Sequence, residues 1–213
     1  MKILVFAAHP DDEVLGVGGT ICLHERNGDD IFVCVATRPY RPEWSSRYIK
    51  EKKKVQKEVD RFLGIRKRIF LNLPTVKLNT VPHGELNKRI VDVMQKVNPD
   101  VVYTPHGGDL NYDHTLVFRA TLVASRPPNK ARVLCYETLS ETEWGLGQFN
   151  PTIWHDISDV VEKKIEAFKI YKTEVKKFPH PRSPEGIRIL AQKRGSEICT
   201  EYAEAFQLIR EIK

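Results

Sequence analysis

Short apolar runs alternate along this chain with longer segments in which apolar residues recur at helical spacing. The runs Ile3 to Ala8 and Ile31 to Thr37 are nearly continuous, which is typical of strands covered on both faces. The segments Val14 to Gly28 and Ser46 to Leu63 have helical periodicity, and a glycine ends or follows each of them. The pattern therefore predicts two successive strand–helix units.

The same alternation continues through the middle of the chain. Further strands are predicted at Arg68 to Leu73, Asp100 to His106 and Arg132 to Thr138, with helices at Glu85 to Val97 and from Asp113 to about Ser125. Strands that alternate with helices form a mostly parallel sheet with helices on both faces. We predict an α/β, doubly wound, Rossmann-like fold with strand order 3-2-1-4-5, built as a single domain over residues 1–213.

Additional elements follow the fifth strand. A short strand is predicted within Thr152 to Ile157, and a helix over Ser158 to Val175 has one apolar face. The proline-rich stretch Phe178 to Gly186 breaks the pattern. The remaining segment, Ile187 to Ile212, is predicted to form one or two closing helices.

Composition narrows the functional classes. The 34 basic and 28 acidic residues of the 213 are interspersed, so the net charge of +6 favours an ordinary solvated surface over a nucleic-acid partner. The four cysteines have no C-x-x-C spacing, which indicates reduced thiols and a cytoplasmic protein. The first apolar run is shorter than a signal-peptide core, and no run reaches the ~20 residues of a membrane span.

An unusual polar group follows the first predicted strand. The motif "HPDDE" places His9 immediately before Pro10 and the adjacent acids Asp11, Asp12 and Glu13. Three neighbouring carboxylates repel one another and lose solvation free energy wherever they are partly buried. A cation is therefore expected beside them.

The predicted strand order supplies a partner for this group. In a doubly wound sheet, the site lies where the strand order reverses, which here brings His9 to Glu13 beside His106 to His114. Two histidines and one carboxylate, His9, Asp12 and His114, can hold a catalytic Zn²⁺ with one position open to water. The same set can hold Fe²⁺. Asp11 could then accept a proton from the attacking water.

The motif "AHPDDEVLGVGGT" resembles the defining motif of the LmbE-like, or PIG-L-like, zinc-dependent N-deacetylases. The segments "PHGGDLNYDHTLVFRA", "YETLSETEW", "FPHPRS" and "YAEAFQLIR" are also similar to segments of that family, so the resemblance extends over nearly the whole chain. It implies removal of acetyl groups from N-acetylglucosamine conjugates and related sugars. It also implies zinc held by His9, Asp12 and His114, with Asp11 as general base.

One position departs from the family pattern. Many members have a histidine three residues before the last ligand, where it stabilises the oxyanion or protonates the leaving amine, and this chain has Asn111 there. An amide can donate a hydrogen bond to an oxyanion, but it cannot deliver a proton. The proton transfer therefore falls to Asp11 or to another group. His106 and His180 are the predicted candidates, with His180 reaching in from the "FPHPRS" loop.

We accordingly predict a cytoplasmic, zinc-dependent amidohydrolase acting on an N-acetylated amino sugar or its conjugate. The alternative is a non-catalytic sugar-binding or regulatory relative that has lost an efficient proton donor at Asn111. A nucleotide-binding Rossmann protein is disfavoured, because three acids occupy the turn where a phosphate would bind. The glycines after that turn, Gly16, Gly18 and Gly19, are predicted to serve close packing of the first helix on the sheet. The resemblance further implies a homo-oligomer, since hexamers occur in the family.

Several other side chains could have either a structural or a functional role. Trp144 is predicted as an apolar platform for the sugar, ahead of Trp44 and Tyr48. Asp109 is equally consistent with a loop residue and with a hydrogen-bond partner of a metal ligand, and a structural role is slightly favoured for Arg182. Three isolated histidines are predicted to lie on the surface: His24, His83 and His155.

Overall fold

The computed structural model of this chain describes residues 1–212. The strands are β1 (Lys2–Ala7), β2 (Asp30–Arg38), β3 (Lys67–Pro74), β4 (Val101–Pro105), β5 (Arg132–Tyr136), β6 (Ile153–Asp156) and β7 (Ala203–Arg210). The helices are α1 (Asp12–Arg26), α2 (Ser46–Leu63), α3 (His83–Val97), α4 (Tyr112–Ala124), α5 (Val161–Ile170) and α6 (Pro184–Ser196), with a 3₁₀ turn at Leu78–Thr80. None of the helices in residues 1–212 is long and apolar enough to cross a membrane.

All seven strands belong to one sheet with the order β3-β2-β1-β4-β5-β7-β6. Strands β1 to β5 are parallel, whereas β7 runs antiparallel to both β5 and β6. The predicted Rossmann-like architecture and the order 3-2-1-4-5 are confirmed. The short strand predicted within Thr152 to Ile157 is also present, as β6.

The prediction for the carboxyl-terminal segment is wrong in its second half. Helix α6 ends at Ser196, and Ala203–Arg210 forms β7 instead of a closing helix. Its sequence, "AEAFQLIR", is rich in good helix formers. The open edge of β5 overrides that preference, because β7 fills the space between β5 and β6 and its first four residues become buried. Helix α5 is also shorter than predicted, since it covers Val161–Ile170 only.

The apolar core lies on both faces of the sheet. Along β1, Ile3 and Val5 point into the cluster covered by α1, α2, α5 and α6, whereas Leu4 and Phe6 point into the cluster covered by α3 and α4. Successive residues of a strand face opposite sides, so a strand buried on both faces must be apolar throughout. This explains the continuous run that begins the sequence.

The glycines of α1 let this helix pack closely, as predicted. A Cβ atom at Gly16 would lie 2.1 Å from the ring of Tyr136 in β5, and one at Gly19 would lie 2.7 Å from Ile157. Contacts this short do not occur in folded proteins, so any larger residue would push α1 away from the sheet. Because α1 begins at the candidate site, these glycines also fix its position there.

A second buried polar cluster lies near the later turns of α1, away from the "HPDDE" turn. We call it the Glu204 cluster and define it by the following residues: Thr20, His24, Asp29, Tyr103, His155, Lys164 and Glu204. The surface prediction for His24 is wrong, because this ring is buried and lies between Asp29 and Tyr103. His155 is half-buried against Thr20, and only His83 is exposed.

Strands β1 and β4 are neighbours in the sheet, and the helices that follow them pack on opposite faces. A crevice therefore opens between the carboxyl ends of β1 and β4, as in other doubly wound sheets. The "HPDDE" turn leaves β1 at this crevice, and residues 106–114 leave β4 at the same place.

Candidate active site

His9, Asp12 and His114 lie together in the crevice between β1 and β4. Asp12 is the first residue of α1, His114 lies in the first turn of α4, and His9 lies in the turn after β1. The Asp12 Oδ2 atom is 3.3 Å from His114 Nε2 and 3.8 Å from His9 Nδ1. Ligand atoms from all three residues lie within 4.8 Å of one another. The structure thus brings together the three residues predicted as metal ligands.

The bonding of these atoms tests whether the site fits a metal ion. Within the described residues, Asp12 Oδ1 and His114 Nε2 are buried and make no hydrogen bond of good geometry, although Nε2 lies within ion-pair distance of the other Asp12 oxygen. Each such atom typically costs ~1–3 kcal/mol, so an unpartnered pair at one point needs an explanation. A divalent cation would bind both atoms. Two imidazoles and one carboxylate suit Zn²⁺ with an open position, and also Fe²⁺, so the residues fit such an ion.

Both imidazoles are oriented by a second carboxylate. Nε2 of His9 lies 3.0 Å from Asp113 Oδ2, and Nδ1 of His114 lies 2.8 Å from Asp109 Oδ2. The Thr142 hydroxyl donates to the other Asp109 oxygen at 2.6 Å. These contacts leave His9 Nδ1 and His114 Nε2 to face a metal, and carboxylates behind metal-binding histidines commonly set the ring orientation. Of the two readings of Asp109, the structure therefore favours the hydrogen-bond partner.

Asp113 is a site residue that the sequence does not predict, because an acid at this position is already explained as the start of a helix. Its carboxylate also accepts hydrogen bonds from the backbone N–H groups of Val76 at 2.7 Å and Leu78 at 3.2 Å. Val76 has a φ of 60°, a conformation that β-branched residues rarely adopt. The turn after β3 is thus held against the site. The only signal in the sequence was the position of Asp113 next to His114.

The backbone of Asp11 is strained at the start of α1. Its φ is 116°, and residues held in such sparsely populated conformations typically cost ~1–3 kcal/mol. The Asp11 N–H donates to Glu13 Oε2 at 3.1 Å. Glu13 is fully buried, and its other oxygen accepts from Tyr171 Oη at 2.6 Å and from the Arg68 guanidinium at 3.0 Å. Glu13 thereby fixes the turn that directs Asp11 into the crevice.

The side chain of Asp11 is buried beside a cation. Burial raises the pKa of Asp11 well above its ordinary value, and the neighbouring Arg182 guanidinium opposes this shift. Arg182 Nη1 lies 3.3 Å from Asp11 Oδ2, and Arg182 Nη2 lies 3.0 Å from Glu141 Oε1. The sequence slightly favoured a structural role for Arg182. The structure places its charge inside the candidate site, bonded to two carboxyl groups.

The charges of the ligand group attract a cation. Burial by itself would raise the pKa of Asp12, but His114 and His9 hold it well below its usual range. Burial would lower the pKa of His114, but Asp12 and Asp109 raise it to about 10. A proton and a metal ion would therefore compete for His114, so metal binding should weaken as the pH falls.

A cavity of about 200 Å³ opens beside these groups. Its described wall includes the following residues: His9, Asp11, Asp12, Trp44, Tyr48, Lys52, Asn111, Glu141 and Arg182. His114 is fully buried and is not among them. Trp44 and Tyr48 present rings on which a sugar could pack, whereas Trp144 is half-exposed and is not among the described lining residues. The preference for Trp144 as the sugar platform is therefore wrong for this cavity.

The two histidines predicted as proton donors lie elsewhere. His106 is buried with its Nδ1 3.8 Å from the Cys135 thiol, and it is absent from the described wall of the cavity. The His180 ring packs edge-on against Trp144 at 5.7 Å, and its Nδ1 accepts the backbone N–H of Arg182 at 3.0 Å. Neither ring belongs to the group of ligand atoms that His9, Asp12 and His114 form. The "FPHPRS" loop reaches the site through Arg182 instead.

Asn111 does line the cavity, as predicted. It is the N-cap of α4, and its Oδ1 accepts the backbone N–H of Asp113 at 3.1 Å. With the oxygen bonded to the helix, the amide nitrogen is the atom available to the cavity. Asn111 can therefore donate a hydrogen bond there, but it has no proton to transfer.

Comparison with known families matches residues 4–125 to the family model described as PIG-L: GlcNAc-PI de-N-acetylase. The match covers more than half of the chain, and it includes His9, Asp11, Asp12, Asn111 and His114. The residues that form the crevice between β1 and β4 thus belong to the matched region.

Two relatives illustrate the match. A protein named uncharacterized deacetylase YaiS, from Escherichia coli K12, is 29% identical over 180 residues, which cover 80% of this chain and 90% of the relative. A diacetylchitobiose deacetylase from Thermococcus kodakarensis is 25% identical over 228 residues, which cover 98% of this chain and 83% of the relative.

A solved structure shows how widely the fold is used. The 4-carboxy-2-hydroxymuconate hydratase GalB from Pseudomonas putida KT2440 superimposes with a TM-score of 0.78 at 20% identity, covering 100% of this chain and 97% of GalB. At this identity the likeness shows the fold alone. Because the fold carries a hydratase as well, the reaction has to be argued from the side chains of the site.

Proposed function

This chain belongs to the PIG-L family, and from that membership we propose that it is a metal-dependent N-deacetylase acting on an N-acetylglucosamine-type sugar or its conjugate. The observation that carries the proposal is the arrangement of His9, Asp12 and His114 around two unpartnered buried atoms, with Asp11 beside them. This set matches the parts that amide hydrolysis needs. The names of both relatives support deacetylation, and the name of the diacetylchitobiose deacetylase supports the substrate class.

The protein residues have separate tasks in this reaction. His9, Asp12 and His114 hold the ion, which when bound polarises the acetamide carbonyl and makes water a better nucleophile. Asp11 accepts the proton of the attacking water, and its strained backbone keeps the carboxylate directed into the cavity. The Asn111 amide nitrogen donates to the carbonyl oxygen as negative charge develops there. Trp44 and Tyr48 provide apolar surface for the sugar ring.

The native metal is proposed to be Zn²⁺, with Fe²⁺ as the alternative, because the donor set suits both ions. Elemental analysis of protein purified without added metal identifies the bound ion. Reconstitution of the chelated protein with Zn²⁺, or with Fe²⁺ under anaerobic conditions, then shows which ion restores activity. Equal indifference of the folded protein to both ions would contradict the proposal.

The direct test is acetate release from N-acetylglucosamine and N,N′-diacetylchitobiose. The wild-type protein should release acetate and lose this activity on chelation. Asp11→Ala should abolish turnover while the metal stays bound, because Asp11 is not a ligand. Retained turnover in Asp11→Ala would remove this residue from the mechanism.

A binding-only relative is the second candidate, and Asn111 is the residue that favours it. This candidate predicts calorimetric binding of these sugars with no acetate at any pH. The acetate assay and the calorimetry together separate the two functions.

We also propose a homo-oligomer in the cytoplasm. Several large apolar side chains are exposed in the segments that follow β4 and β5, at the start of α4 and in the proline-rich loop: Leu110, Tyr112, Trp144, Leu146 and Phe178. Exposed apolar surface of this kind commonly marks an interface between proteins. Light scattering should give a multiple of 24.6 kDa, and Leu146→Asp should shift the mass towards the monomer.

A further inference from the structure

Amide hydrolysis in this cavity needs a proton donor for the leaving nitrogen. An amine is a poor leaving group unless its nitrogen is protonated as the C–N bond breaks. Asn111 cannot supply that proton, and His106 and His180 are not among the described residues of the cavity wall. The donor is then either Asp11, after it has taken up the water proton, or a second ionisable group on the cavity wall, and a second group would let the base and the acid act independently.

Most ionisable groups in the described wall already have a task. His9 and Asp12 belong to the ligand group, and Asp11 is the proposed base. Lys52 and Glu174 form an ion pair with each other across the side of the cavity. Burial would raise the pKa of Glu174, but the Lys52 ammonium holds it below its ordinary value, so this carboxyl group stays ionised.

Glu141 remains, and its position is unusual. The two terminal nitrogens of the Arg182 guanidinium bind two different carboxyl groups, Asp11 through Nη1 at 3.3 Å and Glu141 through Nη2 at 3.0 Å. The Arg182 Nε–H also donates to Ser140 Oγ at 2.7 Å, which fixes the plane of the guanidinium. One rigid cation thus holds two carboxyl groups on the wall of the same small cavity.

The backbone of Glu141 is fixed as well. Its N–H donates to Thr138 O at 3.0 Å, and its carbonyl accepts the Leu110 N–H at 3.0 Å. The loop after β5 is thereby tied to the loop after β4, which carries Asn111. Burial raises the pKa of Glu141 above its ordinary value, against the opposing charges of His114 and Arg182. Glu141 therefore binds a proton more readily than a carboxyl group in solution does.

On the premise of the proposed deacetylase function, we propose that Glu141 is the general acid that protonates the leaving amine. The water oxygen bonds to the carbonyl carbon as Asp11 takes one water proton. The C–N bond then breaks, its electron pair passes to nitrogen, and the nitrogen takes the Glu141 proton. Amine and acetic acid leave, Asp11 releases its proton to solvent, and Glu141 regains one from solvent. Arg182 is the positioning residue for both carboxyl groups.

The test uses the dependence on the leaving group. The metal-loaded Glu141→Gln variant should lose roughly 10²-fold or more in kcat for acetate release from N,N′-diacetylchitobiose, with KM nearly unchanged. Hydrolysis of p-nitrophenyl acetate should change by less than about threefold, because p-nitrophenolate leaves without a proton. Glu141→Asp should recover part of the amide activity. Glu201→Gln, at an exposed position outside the described wall of the cavity, is the control and should behave as wild type.

A second measurement tests ligand binding and does not depend on turnover. In the metal-free protein, the ammonium group of glucosamine represents the nitrogen after proton transfer and should favour the ionised form of Glu141, so Glu141→Gln should weaken glucosamine binding by calorimetry. Binding of N-acetylglucosamine should not change. Amide and ester activities that fall equally, or an unchanged amide kcat, would overturn the role of Glu141 alone. A wild-type protein that hydrolyses the ester but none of the sugar amides would overturn the proposed function and this role together.

Discussion

Two buried polar clusters in this protein satisfy their hydrogen-bonding groups differently. In the Glu204 cluster, the Glu204 carboxylate accepts from Gly19 N at 2.8 Å, Thr20 N at 2.7 Å and Lys164 Nζ at 2.7 Å. Both ring nitrogens of His24 also have partners. In the crevice between β1 and β4, by contrast, Asp12 Oδ1 has none among the described residues.

The contrast distinguishes a structural network from a binding site. A buried network with all its members paired stabilises the fold, and nothing further is needed to explain it. A buried site that leaves a carboxylate oxygen and an imidazole nitrogen unpaired is stable only because the surrounding fold holds it. The polar residues of the crevice are therefore arranged for a ligand, and those of the Glu204 cluster for packing α1 and α5 against β7.

The largest expected difference appears when a ligand residue is removed. Asp12→Ala should lower acetate release by at least ~10³-fold, equivalent to ~4 kcal/mol of transition-state stabilisation, because the ion loses its carboxylate. Elemental analysis should show loss of the metal. The free energy of unfolding of the chelated protein should also fall, by ~1–3 kcal/mol, because the carboxylate accepts the His9 N–H at 2.7 Å and lies beside His114. Full metal content in Asp12→Ala would contradict the ligand assignment.

Removal of Glu204 should lower the free energy of unfolding and leave metal binding unchanged. Glu204→Ala should lower the free energy of unfolding by ~3–5 kcal/mol, because Lys164 would be left as a buried charge without its partner. Urea denaturation measures this loss. The folded fraction should retain its metal. Glu201→Ala, at an exposed position, is the control and should stay within ~0.5 kcal/mol of wild type. A mild effect at Glu204 would mean that this network is not structural.

The Glu204 cluster should also make stability depend on pH. Burial lowers the pKa of His155 to about 4, against the opposing charge of Glu204. In the unfolded chain, the pKa of His155 is near 6.5. The stabilisation that comes from keeping His155 neutral in the folded protein is therefore complete above pH 6.5 and is lost as the pH falls towards 4. The full contribution is ~3 kcal/mol. Denaturation at several pH values should show a shallower acid loss for His155→Gln than for wild type, and equal slopes would contradict the assignment.

The smallest expected effect is a gain in stability at the crevice. Asp11→Gly removes the strained backbone and one of three adjacent carboxylates, so the chelated protein should gain ~1 kcal/mol in the free energy of unfolding. Asp11→Asn keeps the strain and should gain less. Thermal denaturation of the two chelated variants makes the comparison. A loss of stability in Asp11→Gly would show that the turn is not strained.

Much of the site could be predicted because its parts lie in short, chemically unusual stretches. The apolar runs and helical segments predict a doubly wound sheet, and the strand order common in such sheets brings His9 and Asp12 to His114. Asp113 and Arg182 were harder to predict, because an acid at a helix start and an arginine in a proline-rich loop have common structural explanations. Their roles depend on which side chains they contact in the folded protein. The sequence does not show those contacts.

The sequence by itself determined the alternation of strands and helices, the parallel sheet and the identity of the metal-binding residue types, because hydrophobic periodicity and a cluster of acids act locally. Only the tertiary structure decided that Ala203–Arg210 is a strand, since an open sheet edge outweighs helix propensity. It also decided that Arg182 joins Asp11 to Glu141, across 171 and 41 positions of the chain respectively. Such contacts depend on how the loops after β1 and β5 pack against the proline-rich loop that carries Arg182. No local sequence pattern predicts this packing.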